Sequence, residues 1–229
     1  MRHRRILEAP RKPARLSGAQ LVLSRGSTPV AGPVDFALEA GEALAVTGPN
    51  GAGKSTLLRT LFGLLPPGSG QIAFEGLDGA DGEPAANLGE AAHYLGHRNG
   101  MKGGETVEAN LLFWMRFLGG KGRDPAQALA AVGLDGAGSL PFAYLSAGQQ
   151  RRAALARLLV SHRPVWLLDE PTSALDSGAQ ALFGRIASQH LDGGGIVIAA
   201  THLPLGIPAR EMRLEPAVLS PTLAEDAWA

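Results

Sequence analysis

Nine consecutive residues, Gly48-Pro49-Asn50-Gly51-Ala52-Gly53-Lys54-Ser55-Thr56, combine three glycines, a lysine and two hydroxyls in the spacing of a phosphate cradle. Glycines let the backbone curl so that several N–H groups converge on phosphate oxygens. The apolar run 42–48 before the loop reads as a strand, and "KSTLLRTLFGLL" after it reads as a helix stopped by Pro66 and Pro67. The loop therefore meets a helix N-terminus, whose dipole favours an anion. In that arrangement Lys54 reaches the β- and γ-phosphates of a nucleotide, and the Ser55 hydroxyl binds Mg²⁺. A merely flexible glycine loop is the plain alternative, and the flanking strand and helix argue against it.

A second group sits beyond the apolar run "VWLLDE" (165–170). A strand with a carboxylate at its C-terminal end delivers that charge to the ligand edge of a parallel sheet, which suits Asp169 to holding the metal. Glu170 follows, on the opposite side of the strand or in the turn, where it can accept a proton from attacking water. His202 ends "GIVIAATH" (195–202) and reaches the same edge, where a γ-phosphate contact competes with a structural role. The stretch Leu145-Ser146-Ala147-Gly148-Gln149 is a feature of another kind. Ser146 and Gln149 stand at capping-box spacing, and Gly148 removes a side chain where a ligand could approach the backbone. By itself this reads first as the capped start of a long alanine- and leucine-rich helix.

These groups need a scaffold that gathers loops at one edge. Short apolar runs at 42–48, 165–170 and 195–202, with helical patterns between them, imply an α/β fold with a parallel sheet covered on both faces. "QIAFEG" (71–76) alternates like a strand, and 77–92 reads as an exposed loop. From about 105 to 160 the pattern turns helical, with Thr106 as a cap for "VEANLLFWMRFL". The 229 residues make one large domain, or one domain with an inserted lobe. The 21 basic and 21 acidic residues cancel, so no global field draws nucleic acid or acidic lipid. The absence of cysteine excludes disulfides, thiol catalysis and thiolate metal sites. No apolar run is long enough to span a bilayer. The basic start "MRHRRILEAPRKPAR" reads as a frayed tail, with an organelle transit peptide as the alternative.

Taken together, the cradle, the "LSAGQ" stretch, the acidic strand, "SALD" (173–176) and His202 resemble, in order and spacing, the ATP-binding subunit of ATP-binding-cassette transporters. The resemblance runs from about residue 20 to 203. It implies a P-loop NTPase core with a mostly parallel sheet flanked by helices, an N-terminal antiparallel β subdomain and a helical lobe at about 97–160. The implied domain is 18–210, between a basic extension at 1–17 and a tail at 211–229. It also implies a head-to-tail dimer in which residues 145–149 of one copy close over ATP and Mg²⁺ held by the cradle of the other. Integral membrane subunits would receive the work, and the chain would sit peripherally on the cytoplasmic side of the inner membrane.

Within that family the chain is most similar to the haem-exporter branch of cytochrome c maturation. The similarity lies in Ala147, in "GQQRR" (148–152), in "GHRNGMK" (96–102) and in the strand 194–202. That branch implies haem export or release of a haem chaperone, with haem bound by partners and not by this chain. A different cargo, or a soluble ATP-driven switch, are the alternatives. Two departures from the wider family stand out. His97 occupies the place of a glutamine that touches Mg²⁺, so it is a further metal candidate or else a loop residue packing on the lobe. The segment 23–32 also lacks the adenine-stacking aromatic, so either Arg25 stacks its guanidinium there or the base is gripped weakly. Phe113 and Trp114 belong either to a membrane-subunit interface or to the lobe core.

Overall fold

The computed structural model describes residues 13–119 and 121–217; positions 1–12 of the expected basic extension (1–17) and 218–229 of the expected tail (211–229) lie outside the described residues. In chain order the elements are β1 (Arg15–Arg25), β2 (Thr28–Glu39), β3 (Ala43–Thr47), α1 (Lys54–Leu61), β4 (Ser69–Glu75), α2 (Leu88–Ala91) and β5 (Ala92–Leu95). There follow α3 (Val107–Leu118), α4 (Pro125–Ala131), α5 (Ala147–Ala156), β6 (Val165–Asp169), α6 (Ser177–Asp192), β7 (Ile196–Ala200) and β8 (Arg210–Arg213).

Two sheets result. Strands β2-β1-β4 pair antiparallel, and β5-β6-β7-β3-β8 form a wholly parallel sheet. Every residue of β6 and β7 is buried, as expected for central strands covered on both faces. Their alternating side chains feed two different cores. Trp166, Leu168, Val197 and Ala199 pack with α5, α6 and the helical region. Val165, Leu167, Ile196 and Ile198 pack against α1 and the antiparallel sheet. Because β6, β7 and β3 are parallel neighbours, the loops leaving their C-terminal ends share one edge.

Several expectations need adjustment. The segment 77–92 is not wholly an exposed loop: Leu77, Leu88 and Ala91 are buried, Asn87 caps the single turn of α2, and β5 follows at once. The boundaries at 17/18 and 210/211 both cut strands. Leu16, fully buried, pairs with Leu38 across β1 and β2. Residues 210–213 pair with β3, Leu214 is buried and its N–H donates to Thr47 O at 2.9 Å. An edge strand needs few apolar residues, which is why "REMR" resembles a tail. In the helical region, Thr106 does cap α3, accepting from Ala109 N at 3.1 Å.

Candidate active site

The cradle grows directly out of β3. Gly48 has φ 131°, and a Cβ there would run into Leu214 O, so the turn admits only glycine. Gly53 (φ 94°) is the N-cap of α1 and has no side chain to accept from the helix, leaving the first-turn N–H groups without a side-chain cap. Lys54 Nζ donates to Gly48 O at 2.7 Å and Pro49 O at 3.0 Å, which ties the loop into its curl. Buried Thr56 bonds through Oγ1 to Arg25 Nε at 3.2 Å, so the tip of the β1–β2 hairpin is fastened to the first turn of α1.

An open cleft of about 230 Å³ collects the chemistry: Asn50, Gly51, Gly53, Lys54 and Ser55 on one side, Asp169, Glu170 and His202 on the other, with Arg25 and His97 at its margins. Asp169, at the end of β6, is buried. Glu170 has φ 49°, a left-handed backbone uncommon for a non-glycine residue. That conformation turns its carboxylate toward His202, whose Nε2 lies 3.7 Å from Glu170 Oε1. The Glu170 N–H donates to Ala200 O at 2.8 Å, locking the turn to β7. Arg25 lines the cleft and its Nε donates to Thr56 Oγ1.

Residues 145–149 do not reach this cleft among the described residues. Leu145 is buried, while Ser146 and Ala147 are exposed at the start of α5. The capping box is complete: Gln149 N donates to Ser146 Oγ at 3.3 Å, and Ser146 N donates to Gln149 Oε1 at 2.8 Å. Gly148 has an internal reason as well, since a Cβ there would come 3.0 Å from Ala174 O. His97 also borders a larger groove of about 930 Å³ that Met101, Phe113 and Trp114 help to line. Trp114 is half-buried, with its indole N–H donating to Gly100 O at 2.8 Å, whereas Phe113 is 49% exposed.

The sequence pattern marked "GQQRR" (148–152) but gave no role to one of its residues. Arg151, on α5, is only 4% exposed and reaches behind the Asp169–Glu170 turn. Burial pulls its pKa below the usual arginine value, and the charges of Asp169 and Glu170 oppose that shift. Its position on the same helical face as the buried Ala154, Leu155 and Leu158 is the signal that could have revealed it.

Comparison with known proteins agrees with this geometry. The family model described as "ABC transporter" matches residues 31–173. The "Cytochrome c biogenesis ATP-binding export protein CcmA" of Nitrobacter winogradskyi is 57% identical over 200 residues, covering 87% of this chain and 98% of that protein. The protein of the same description from Rhodopseudomonas palustris is 56% identical over 199 residues, covering 87% and 97%. Among solved structures, a Pyrococcus furiosus chain described as an ABC transporter ATP-binding protein superposes with a TM-score of 0.74 at 25% identity, covering 87% of this chain and 97% of that one. A bacterial Atm1-family ABC exporter with ATP bound gives a TM-score of 0.67 at 22% identity, over 90% of this chain and 39% of that one.

Proposed function

The chain belongs to the ABC transporter family as an ATP-hydrolysing subunit, and on that premise we propose that it energises haem export, or release of a haem chaperone, in c-type cytochrome biogenesis. The relatives' description as cytochrome c biogenesis export proteins supports this cargo. No helix among the described residues is long and apolar enough to cross a membrane, so the work passes to membrane-spanning partners. We place the chain on the cytoplasmic face of the inner membrane, with the groove beside Phe113 and Trp114 as the docking face.

The observation that carries the catalytic assignment is the convergence of Lys54, Ser55, Asp169, Glu170 and His202 on one cleft that the start of α5 does not enter. Gly48 to Thr56 hold the phosphates, Glu170 takes the proton of attacking water, and His202 contacts the γ-phosphate. Ser55 and Asp169 would hold Mg²⁺, for which a hydroxyl and a carboxylate are suitable oxygen donors, and no group of three or more His, Cys, Asp or Glu that could hold a metal exists among the described residues. When bound, that ion neutralises charge building on the phosphates. Leu145, Ser146, Ala147, Gly148 and Gln149 of a second copy close the site. The γ-phosphate then bridges two helix N-termini, and its release lets the pair open.

The test is a pull-down from detergent-solubilised membranes together with Glu170→Gln. The expected results are a membrane transporter subunit of cytochrome c biogenesis in the eluate and, for the variant, near-abolished turnover with an ATP-trapped dimer. A partner from an unrelated transporter would refute the cargo, and a variant that stays monomeric with ATP would refute the site roles.

A further inference from the structure

Arg151 sits on the helix that begins with Ser146, yet its guanidinium is spent on the opposite machinery. Nε donates to Pro171 O at 3.3 Å. Nη1 donates to Gly96 O at 3.1 Å and Asn99 Oδ1 at 3.2 Å. Nη2 donates to Asp169 O at 2.5 Å and Glu170 O at 2.8 Å. A guanidinium has five N–H donors in a rigid plane, and here each has an acceptor. Four of the five are main-chain carbonyls, so the contact fixes backbone, not a paired charge. It joins three segments: the helix that meets a partner's nucleotide, the turn of Asp169 and Glu170, and the loop carrying His97.

Glu170 needs such a clamp. Its left-handed φ of 49° persists only where its surroundings hold it. Ala200 O holds its N–H, while its carbonyl accepts from Arg151 and from Ser173 Oγ at 2.8 Å. A shift of α5 along its axis acts on that carbonyl through a planar group with no slack.

We infer that Arg151 is a positioning residue that sets the aim of Glu170 and transmits the engagement of Ser146 by a second copy to the hydrolytic step. This rests on Glu170 being the base. Lysine cannot replace it, because an ammonium has three donors and no plane to span five acceptors. Ser173→Ala removes the other side-chain donor to the same carbonyl at little cost in volume.

The experiment compares the full chain with Arg151→Lys, Ser173→Ala and Glu170→Gln, measuring kcat, KM, ATP affinity by titration and Tm. Arg151→Lys is expected to lower kcat about 30-fold and Ser173→Ala about 5-fold, with ATP affinity changed less than about 3-fold, as for loss of a charge-assisted and a neutral hydrogen bond. Where Arg151→Lys melts early, Ser173→Ala with an unchanged Tm decides the question. If kcat survives in both while Glu170→Gln abolishes turnover, the Arg151 role is wrong and the site stands. Proportional loss of ATP affinity, kcat and Tm in both would reduce Arg151 to a structural residue and overturn the inference. Full turnover in Glu170→Gln would remove the base, and the inference with it.

Discussion

The helix starts at Gly53 and Ser146 make opposite use of the same dipole. The first is uncapped: Gly53 has no side chain to satisfy the helix N–H groups, and the loop before it curls so that further donors converge. The second is fully capped, with Ser146 and Gln149 each occupied in a box. An uncapped start is an unmet demand that a phosphate satisfies; a capped one is already satisfied and has only its residual dipole and an exposed hydroxyl to lend. The difference teaches an order of events. On the site roles proposed above, nucleotide would load at the α1 start first, and the α5 start of another copy would answer afterwards.

The sharpest way to break this ordering is Lys54→Ala. Turnover should fall by about 1000-fold or more, as for loss of the main phosphate-charge stabilisation, with ATP binding and ATP-dependent dimerisation lost together. Calorimetric titration and gel filtration with ATP check it, and a dimer without binding would reverse the sequence. Ser146→Asp sharpens the comparison from the other side. Aspartate caps as well as serine, so the Tm should hold, but its charge would face the partner's γ-phosphate and turnover should drop by about 100-fold. Monomeric ATP binding should survive in this variant; an unaffected rate would mean that the second helix start never meets phosphate.

A smaller effect separates scaffold from site. Burial lowers the His93 pKa to about 3, and burial with the neighbouring His162 lowers His190 to about 4. Both fold in the neutral form, so their contribution is complete above the unfolded pKa near 6.5 and is lost as pH falls toward 4 and 3. Between pH 7 and pH 5 each should cost about 2 kcal/mol of stability. Urea unfolding at the two pH values measures this, and His93→Gln should flatten the dependence, since a glutamine amide can still donate to Ser161 O as His93 Nε2 does at 2.7 Å. The smallest expected difference concerns the base. With Arg25 tied to Thr56 and no aromatic in 23–32, ATP and GTP should be hydrolysed at rates within about 3-fold, as expected where no buried polar group reads the base. Strict ATP preference in steady-state kinetics would contradict this.

What could be read from the sequence follows the same division. The strands β3, β6 and β7 were plain because a buried parallel strand is a continuous apolar run, and their C-terminal residues marked the cleft. Strand β5 was hidden because its four residues include a buried histidine and follow a helical turn without a break. Strand β8 was hidden by its charges. Asp169 and Glu170 were visible as a pair, but the left-handed turn at Glu170 was not, since the contacts around it come from Ala200, Arg151 and Ser173, two of them far off in sequence. Arg151 resembled any surface arginine on a helix until the fold aimed it at five acceptors.

Leu214, just beyond β8, stands against Gly48, so a stretch near the end of the described residues forms the rear wall of the chain's first motif. During synthesis the polypeptide emerges from its N-terminus, so β3 and the glycine loop are made long before the strand β8 that pairs beside them. A chain cut before residue 210 should therefore leave the Gly48 turn without the wall that Leu214 sets against it.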